Sequence, residues 1–521
     1  MRNVKTISIW SCDSLRNVFP PCIARDLIHL KWLTELPNFT SFWCYLTGED
    51  LNYKVEFPNL VDLDIGCEKI NLGAKELGID DSTCQRLKVL KYGYCGKSTA
   101  LALSAFRSLP LLQDLKISDS SSLEEIVEDV RGDEVSDMDK KTPTLLQLKY
   151  FTLENLPNIK RFIINANFEC HMPTLTRVMV HYCGISTLFT FSALKSLPHL
   201  RELEISRCSL LEEIVEGVRG DEASCMDTKT ITLFHLRSII LRNLPNLKSF
   251  ISTADYECHM PALRKVIVDN CRISPLLTFS ALRSLQQLQE LEISNCCGLK
   301  EMVEGVGGDE ASGLGKKTIT FYQLRSVTLT NLEYVGHVIY SNNYDFHMPT
   351  LTKLNIHNCD FYTLFMISDF RKLHQLSELN VSNCRRLESI VDDKWDDKSS
   401  FGDDKIITFS RLTNVRLTLL PNLKCFSSTS SYSFSMPKLD TLKMFSCPRM
   451  EYFTFLKTST PMVRVYIERE VWEHIPDLND YIRQNCKREN STSDSVGKLS
   501  HIEQERVEEE QPQNTKENDQ Q

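Results

Sequence analysis

The segment from Val89 to Ala100 has the spacing most suggestive of chemistry, because Gly96-Lys97-Ser98 follows a strand-like stretch as in a phosphate-binding loop. That motif also requires a glycine five residues before Gly96, where this chain has Lys91. A shift of 88 residues places Cys95–Thr99 on Cys183–Thr187, in which isoleucine replaces the lysine. We therefore interpret the segment as part of an internal repeat and predict no nucleotide cofactor.

Cysteine and histidine raise the question of a metal site. Cys170-His171 and Cys258-His259 look like ligand pairs, but the corresponding residues one cycle later are Phe346-His347. Ten other cysteines occupy one position after a strand-like segment, where a small side chain packs against its neighbour and its thiol meets turn backbone. They are Cys12, Cys67, Cys95, Cys183, Cys208, Cys271, Cys296, Cys359, Cys384 and Cys447. We predict a structural cysteine ladder, no metal and no catalytic residues.

An internal repeat organises most of the chain. Ser108-Leu109, Ser196-Leu197, Ser284-Leu285 and Lys372-Leu373 open four segments at a constant spacing of 88 residues. Each 88-residue cycle contains three repeats of 36, 27 and 25 residues with the pattern Leu-x-x-Leu-x-Ile/Val, which we call the first, second and third repeat. Alternating apolar residues predict a short strand with one buried face, and single repeats cannot bury their leucines alone.

These observations predict an α/β solenoid, a leucine-rich-repeat horseshoe with a parallel β-sheet on its concave face and irregular or short helical convex segments. We divide the chain into degenerate N-terminal repeats over residues 1–107 and four cycles over 108–459. A degenerate C-terminal repeat or cap covers 460–485, and a disordered acidic tail of low apolar content covers 486–521.

Charge and targeting signals limit the classes of partner. Lys and Arg number 60 against 69 Asp and Glu, a net charge of −9, which argues against binding to nucleic acid or an anionic membrane. The chain has no apolar run long enough for a signal peptide or a membrane span. We therefore expect a cytoplasmic protein.

The solvent-facing strand positions are the candidate recognition residues, because alternate side chains point away from the core. In the first repeat they are acidic: Asp114, Glu202, Glu290 and Glu378, joined by Glu204 and Glu292. In the second and third repeats they are basic: Lys149, Arg237, Arg325, Arg177, Lys265 and Lys353. The pattern predicts alternating charged stripes suited to a protein partner. Solvated surface charges copied by duplication remain the alternative.

Three motifs together resemble the leucine-rich-repeat region of plant intracellular nucleotide-binding disease-resistance proteins of the coiled-coil class. They are the Leu-x-x-Leu-x-Ile-x-x-Cys-x-x-Leu-Glu-Glu-Ile-Val run at 200–215, Leu-Pro-Asn-Leu-Lys-Ser-Phe at 244–250, and Met-Pro-x-Leu at 260–263. The resemblance covers about residues 1–470. It implies a module that senses a pathogen effector or a modified host protein and restrains a nucleotide-binding domain, in cis or in trans.

The chain departs from that family because it has neither the nucleotide-binding motifs nor a coiled coil, and residues 1–12 already have the repeat pattern. We therefore expect a truncated form. The first alternative is a leucine-rich-repeat substrate adapter of a ubiquitin ligase, which requires an F-box-like segment, or another repeat-only protein-binding module. The second is a cell-surface receptor ectodomain, which requires a signal peptide. An enzyme assembled in the loops is the third alternative, although the open surface offers no water-excluding cleft.

Overall fold

The computed structural model describes most of the repeat region and parts of both flanks. The described residues are 3–8, 26–36, 43–45, 52–54, 57–66, 84–93, 100–102, 109–127, 145–162, 172–216, 230–251, 257–274, 276, 279–299, 317–332, 344–393, 406–456, 458–460, 463–467, 470–472 and 478–485. The Gly96–Ser98 segment, Cys12, Cys67, Cys95, Cys170-His171 and the predicted tail at 486–521 lie outside these ranges.

The described residues fall into two units. The N-terminal unit contains the described residues of Met1–Asp360 and Lys372–Leu376. The C-terminal unit contains those of Phe361–Arg371 and Ser377–Gln521. Both units are stacks of parallel strands, as predicted for a leucine-rich-repeat solenoid.

One strand with two inward apolar side chains forms the core of each rung. In Glu202–Ser206, Leu203 and Ile205 are buried, whereas the residues between and beside them are partly exposed. The strand follows a tight turn in which the Leu200 amide donates to the Leu197 carbonyl. Because the inward side chains of one rung cover those of the next, the apolar surface is removed from water only when rungs stack.

The broad sheet of the N-terminal unit consists of one such strand per rung. Its strands are Thr6–Ser8, Trp32–Leu36, Asp62–Gly66, Val89–Gly93, Asp114–Ser118, Tyr150–Leu156, Arg177–Cys183, Glu202–Ser206, Ser238–Leu244, Lys265–Cys271, Glu290–Ser294, Ser326–Leu332 and Lys353–Cys359. The register pairs Leu203 with Ile239, Ile239 with Val266 and Val266 with Leu291. These pairings confirm the predicted repeat lengths of 36, 27 and 25 residues.

Among the described residues of the N-terminal unit, short strands and two helices lie outside the broad sheet. The parallel sets are Ala100–Ala102, Glu125–Val127 and Arg161–Phe162; Thr187–Thr190, Glu213–Glu216 and Ser249–Ile251; Thr230–Thr232 with Glu257–His259; and Lys317–Thr320 with Tyr344–His347. Trp43–Tyr45 pairs antiparallel with Asn52–Lys54. The helices are Phe191–Lys195 and Phe279–Ser284. We expected irregular or helical segments here, and short strands predominate among the described ones.

The C-terminal unit repeats this plan. Its broad sheet contains Glu378–Ser382, Asn414–Thr418, Thr441–Phe445 and Arg464–Ile467, followed by the antiparallel Glu470–Trp472. Thr363–Met366, Ser389–Asp392, Cys425–Ser427 and Tyr452–Thr454 form a second sheet, and Ile406–Thr408 pairs with Ser433–Ser435. Its helices among the described residues are Ile367–Phe370 and Leu478–Asn485. Buried rings pack between these layers, with Phe370 4.4 Å from Phe409 and Phe426 4.6 Å from Phe453, centroid to centroid.

Most strands of the broad sheets from Asp114–Ser118 onward are followed or ended by a turn with a positive backbone φ. Asn243, Asn295 and Asn331 have φ between 52° and 55°, a left-handed conformation that asparagine adopts more readily than most side chains. Their amides also bond across rungs, since Asn331 Nδ2 donates to Asn295 Oδ1 at 2.6 Å. The turn residues thus link neighbouring rungs at the strand ends.

Candidate functional site

The exposed face of the broad sheet presents side chains in three rows, because strand positions one, three and five point away from the buried core. We name these the first, middle and last rows. In the strand Glu202–Ser206, Glu202, Glu204 and Ser206 occupy them in that order. Parallel registration aligns each row from the strand Asp62–Gly66 to the strand Lys353–Cys359, so residues far apart in sequence become neighbours.

The first row contains half of the twelve predicted recognition residues. In register, it consists of Asp62, Val89, Asp114, Tyr150, Arg177, Glu202, Ser238, Lys265, Glu290, Ser326 and Lys353. Glu378 begins the first strand of the C-terminal unit's sheet. The sequence thus predicted correctly which acidic residues begin the strands of the first repeats, and which basic residues begin those of the third.

Acidic and basic residues of the first row pair with each other. The Arg177 guanidinium donates to Glu202, and Lys265 Nζ lies 3.0 Å from Glu290 Oε2. All four side chains are roughly two-fifths exposed, so water screens each pair, and its net contribution to stability is about 0–1 kcal/mol. The predicted stripes are therefore joined as ion pairs where a third repeat meets the next first repeat.

Three predicted basic residues lie beside the first row and not on it. Lys149, Arg237 and Arg325 each precede a strand by one residue, and Tyr150, Ser238 and Ser326 take the row positions. The carbonyl of Arg237 accepts hydrogen bonds from the amides of Arg264 and Lys265 in the next rung. The Arg237 and Arg325 side chains are nevertheless exposed at the margin of the face, and the Lys149 side chain is partly exposed there.

The middle row has an apolar centre between two acidic residues. Glu204 is followed in register by Ile240, Ile267 and Glu292. Glu204 Oε1 lies 3.5 Å from Arg242 Nη1, which belongs to the last row. Ile267 is only 6% exposed although it points outward, since its neighbours cover it. The sequence pattern identified the acidic residues but not the isoleucines between them.

A depression of about 400 Å³ opens on the first row. It is lined by Asp114, Tyr150, Thr176, Arg177, Met179, Arg201 and Glu202. Three of these, Asp114, Arg177 and Glu202, were predicted as recognition residues, while Tyr150 and Met179 were missed. Tyr150 could have been found by comparing cycles, because the matching residues are Ser238 and Ser326.

Partial burial changes the acid–base properties of the carboxylates near the depression. It raises the pKa of the Asp114 carboxyl above its ordinary value; Lys91 and Lys116 oppose the rise, and Asp62 adds to it. Burial also raises the pKa of Asp62. Desolvation favours the neutral form of a carboxyl group, so both residues carry their charge less readily than a fully solvated aspartate.

The cysteines form a structural ladder, as predicted, at every ladder position that the structure describes. Cys208 and Cys296 each donate to the carbonyl two residues earlier and to a carbonyl 28 residues earlier. Burial raises the pKa of Cys271 to about 12 and of Cys296 to about 11, so these thiols stay protonated at neutral pH. Cys297, outside the ladder, is exposed.

A metal centre has no support in the described ranges, where no group of three or more His, Cys, Asp or Glu side chains is placed to bind an ion. Within the Cys258-His259 pair, Cys258 is buried, whereas His259 Nε2 lies 2.8 Å from Ser280 Oγ. Neighbouring residues of a strand point to opposite faces, which separates the two potential ligands. No helix among the described residues is long and apolar enough to cross a membrane.

Stacked rungs with one parallel strand each, and polar rows on an exposed face, define a leucine-rich-repeat solenoid. Residues 63–208, 163–297, 257–368 and 342–459 match the family described as plant disease resistance protein RPS2-like, leucine-rich repeats. The chain belongs to this family, and it forms a repeat scaffold of that type. No curated protein matches the chain.

Solved structures with a similar arrangement include bacterial and animal proteins. An internalin from Listeria monocytogenes is 14% identical with a TM-score of 0.27, over 68% of this chain and 80% of the internalin. The Toll–Spatzle complex from Drosophila is 15% identical with a TM-score of 0.36, over 85% of this chain and 57% of the matched chain. The TLR13–ssRNA13 complex is 15% identical with a TM-score of 0.24, over 88% of this chain and 77% of the matched chain.

Proposed function

We propose that this chain is the protein-recognition scaffold of a plant innate-immune receptor, and that its outward face senses a pathogen effector or a modified host protein. The observation that carries the proposal is the contrast between constant inward residues and variable outward residues in a member of a disease-resistance family. A binding surface needs such freedom, because the side chains that contact a partner must change without loss of the fold.

The chemistry of the outward face supports a protein partner. The partly exposed Ile240 and the almost covered Ile267 lie between Glu204 and Glu292 along the middle row, and protein interfaces combine an apolar centre with a polar rim. On the neighbouring row, Arg177 and Lys265 carry positive charge that is paired with Glu202 and Glu290. A surface of mixed charge can orient a protein partner, and it disfavours non-specific binding of polyanions.

A nucleotide-binding domain, in cis or in trans, is the second partner that we propose, and the cytoplasm is the compartment. Binding of an effector or modified host protein to the outward face would compete with, or rearrange, the contact that restrains this domain. Such coupling requires that the two partners favour different states of the receptor.

The test is a pairwise interaction screen of the full chain in plant cells. The probes are bacterial effectors, host proteins that those effectors modify, and the nucleotide-binding domain of an RPS2-like resistance protein. A double variant, Glu204→Lys with Glu292→Lys, reverses the charge at both ends of the apolar pair. We expect it to weaken binding of a genuine partner by at least about tenfold, because like charges across an interface repel.

Leu210→Ser is the matched control, since Leu210 is 55% exposed and lies in the turn after the strand Glu202–Ser206. It should leave both folding and partner binding unchanged. Partners that bind the double variant as tightly as the wild type would contradict an outward-face interface. Absence of binding to all three classes of probe would contradict the proposed function itself.

A further inference from the structure

On the first row, a residue of a third-repeat strand lies next to a residue of the first-repeat strand that follows 25 residues later. The N-terminal unit contains three copies of this pair. Two copies pair a base with an acid: Arg177 with Glu202, and Lys265 with Glu290. In the copy nearest the N-terminus the register instead pairs Val89 with Asp114. This copy therefore has the acidic residue, Asp114, but has the apolar Val89 where the other two copies have a basic residue.

Two nearby lysines attract the Asp114 carboxylate, but both form their ion pairs with other acids. Lys91 and Lys116 lie on the middle row, where Lys91 Nζ is 3.6 Å from Asp64 Oδ2 and Lys116 pairs with Glu154. The Asp114 carboxylate forms no hydrogen bond or ion pair with any residue that the structure describes. It is half-buried, so a charge-paired partner at this position would offset the lost hydration more than it would on an open surface.

An aromatic wall stands beside this acid. Tyr150 is next to Asp114 in register and 42% exposed, at a position where the other cycles of this unit have Ser238 and Ser326. Tyr150 and Met179 line the same depression of about 400 Å³ as Asp114. Aromatic faces attract cations, and a thioether packs well against a methylene chain. The depression thus differs from its repeat-related copies in two ways, both of which suit a cationic side chain.

We propose that this depression binds a lysine or arginine side chain of a protein partner, with the cationic group at the Asp114 carboxylate and the aliphatic stem against Tyr150 and Met179. The inference rests on the proposed function, in which the outward face binds protein. The copies at Glu202 and Glu290 show that an arginine or a lysine fits opposite an acid on this row. Arg177, on the far wall, is neutralised by Glu202 and does not oppose the incoming charge.

The test uses the full chain, labelled with ¹³C at the methionine methyl groups, and n-butylguanidinium as an arginine side-chain analogue. The Met179 resonance is assigned from its loss in Met179→Leu. In the wild type we expect a saturable shift of this resonance. Asp114→Asn should weaken binding by at least roughly fivefold, which corresponds to the loss of one favourable cation contact in a partly desolvated site.

Val89→Lys is the most informative variant, because it restores the cation that the other two copies contain. Its ammonium group should form an ion pair with the Asp114 carboxylate. Binding of n-butylguanidinium should then be weaker by at least about tenfold. Glu290→Gln is the matched control, since it removes an acid that is already paired and lies outside the depression. It should leave the affinity within about twofold of the wild type.

Three results would overturn the inference: no saturable shift in the wild type, equal affinity in Asp114→Asn, or tighter binding of n-butyrate than of n-butylguanidinium. The last would mean that Arg201 and Arg177 make this an anion site. None of these results affects the proposed function, which is tested by protein binding to the Glu204 and Glu292 variants. Conversely, guanidinium binding without any protein partner would contradict the proposed function alone.

Discussion

The two faces of the broad sheet in the N-terminal unit repeat in opposite ways. Inward positions are nearly identical between cycles, as in Leu115, Leu203 and Leu291, all of them buried. Outward positions differ, and the series that begins with Tyr150 continues as Ser238 and Ser326. A buried side chain packs against the rungs on both sides, so a change in its volume disturbs the packing of two neighbours. An outward side chain contacts mostly water. Chemistry specific to this protein is therefore found where outward copies diverge.

The largest effect is expected from a charge on the inward face. Leu203→Asp places a carboxylate in an apolar environment without a partner, which costs several kcal/mol or neutralises the group at further cost. Because rungs stack, the adjacent strands Arg177–Cys183 and Ser238–Leu244 should lose protection in hydrogen exchange. Glu202→Lys, one residue away on the outward face, should change the free energy of unfolding by less than about 1 kcal/mol. Superimposable unfolding curves for Leu203→Asp and the wild type would contradict the assigned inward face.

A smaller loss is expected in the cysteine ladder, at the edge of the inward face. Cys296 is buried, and its thiol donates to the Ser294 carbonyl at 3.1 Å. Cys296→Ala removes one buried heavy atom and its contacts, so we expect a loss of about 1–2 kcal/mol in the free energy of unfolding, measured by urea denaturation.

Its neighbour Cys297 provides the control, because it is exposed. Cys297→Ala should leave the unfolding midpoint unchanged. The two thiols should also differ in native alkylation at pH 8, where Cys297 reacts and Cys296, with a pKa raised to about 11 by burial, stays protonated. Equal alkylation rates for the two cysteines would show that the ladder position is open to solvent.

The inward face could be predicted almost completely from the sequence, and the outward face only in part. Leu203, Ile239 and Val266 are fixed in register because only one spacing buries every apolar pair. Arg237 was predicted as a residue of the outward strand face, but Ser238 takes the row position because it directly precedes the buried Ile239, as Glu202 precedes Leu203. Burial determines register, and solvated positions contribute little to it.

The depression at Asp114 was harder to predict for a different reason. Its wall residue Tyr150 is 36 residues from Asp114 in sequence, so the sequence shows their proximity only once the rungs are aligned. The ion pairs of the first row were missed likewise, because the charges appeared as separate acidic and basic stripes. A row-by-row comparison of the cycles would have shown both Val89 and Tyr150 as departures from the repeat.

An ion pair on the outward face should contribute less than any inward residue. For Lys265 and Glu290 a double-mutant cycle with alanine should give a coupling free energy of about 0.2–1 kcal/mol, since both side chains are roughly two-fifths exposed. Added salt should reduce this coupling. A coupling above about 2 kcal/mol would mean that the first row is part of the stabilising core and not a variable surface.

The smallest effect, and one of opposite sign, is expected at Asp114. Burial raises the pKa of this carboxyl in the folded state, so folding is penalised once the residue must ionise. The penalty is absent below the ordinary aspartate pKa, where the residue is neutral in both states, and it grows as pH rises through the raised pKa of the folded state.

Asp114→Asn should therefore be slightly more stable than the wild type at pH 7, by well under about 1 kcal/mol because solvent screens a half-buried group. The difference should shrink as pH falls towards about 4, the ordinary aspartate value. Urea unfolding of both proteins at several pH values measures this. Lower stability of Asp114→Asn at pH 7 would reveal a favourable partner for the carboxylate within the chain and leave no room for one from outside. A gain would instead mean that the acid persists at a cost to the fold, as expected of a residue kept for binding.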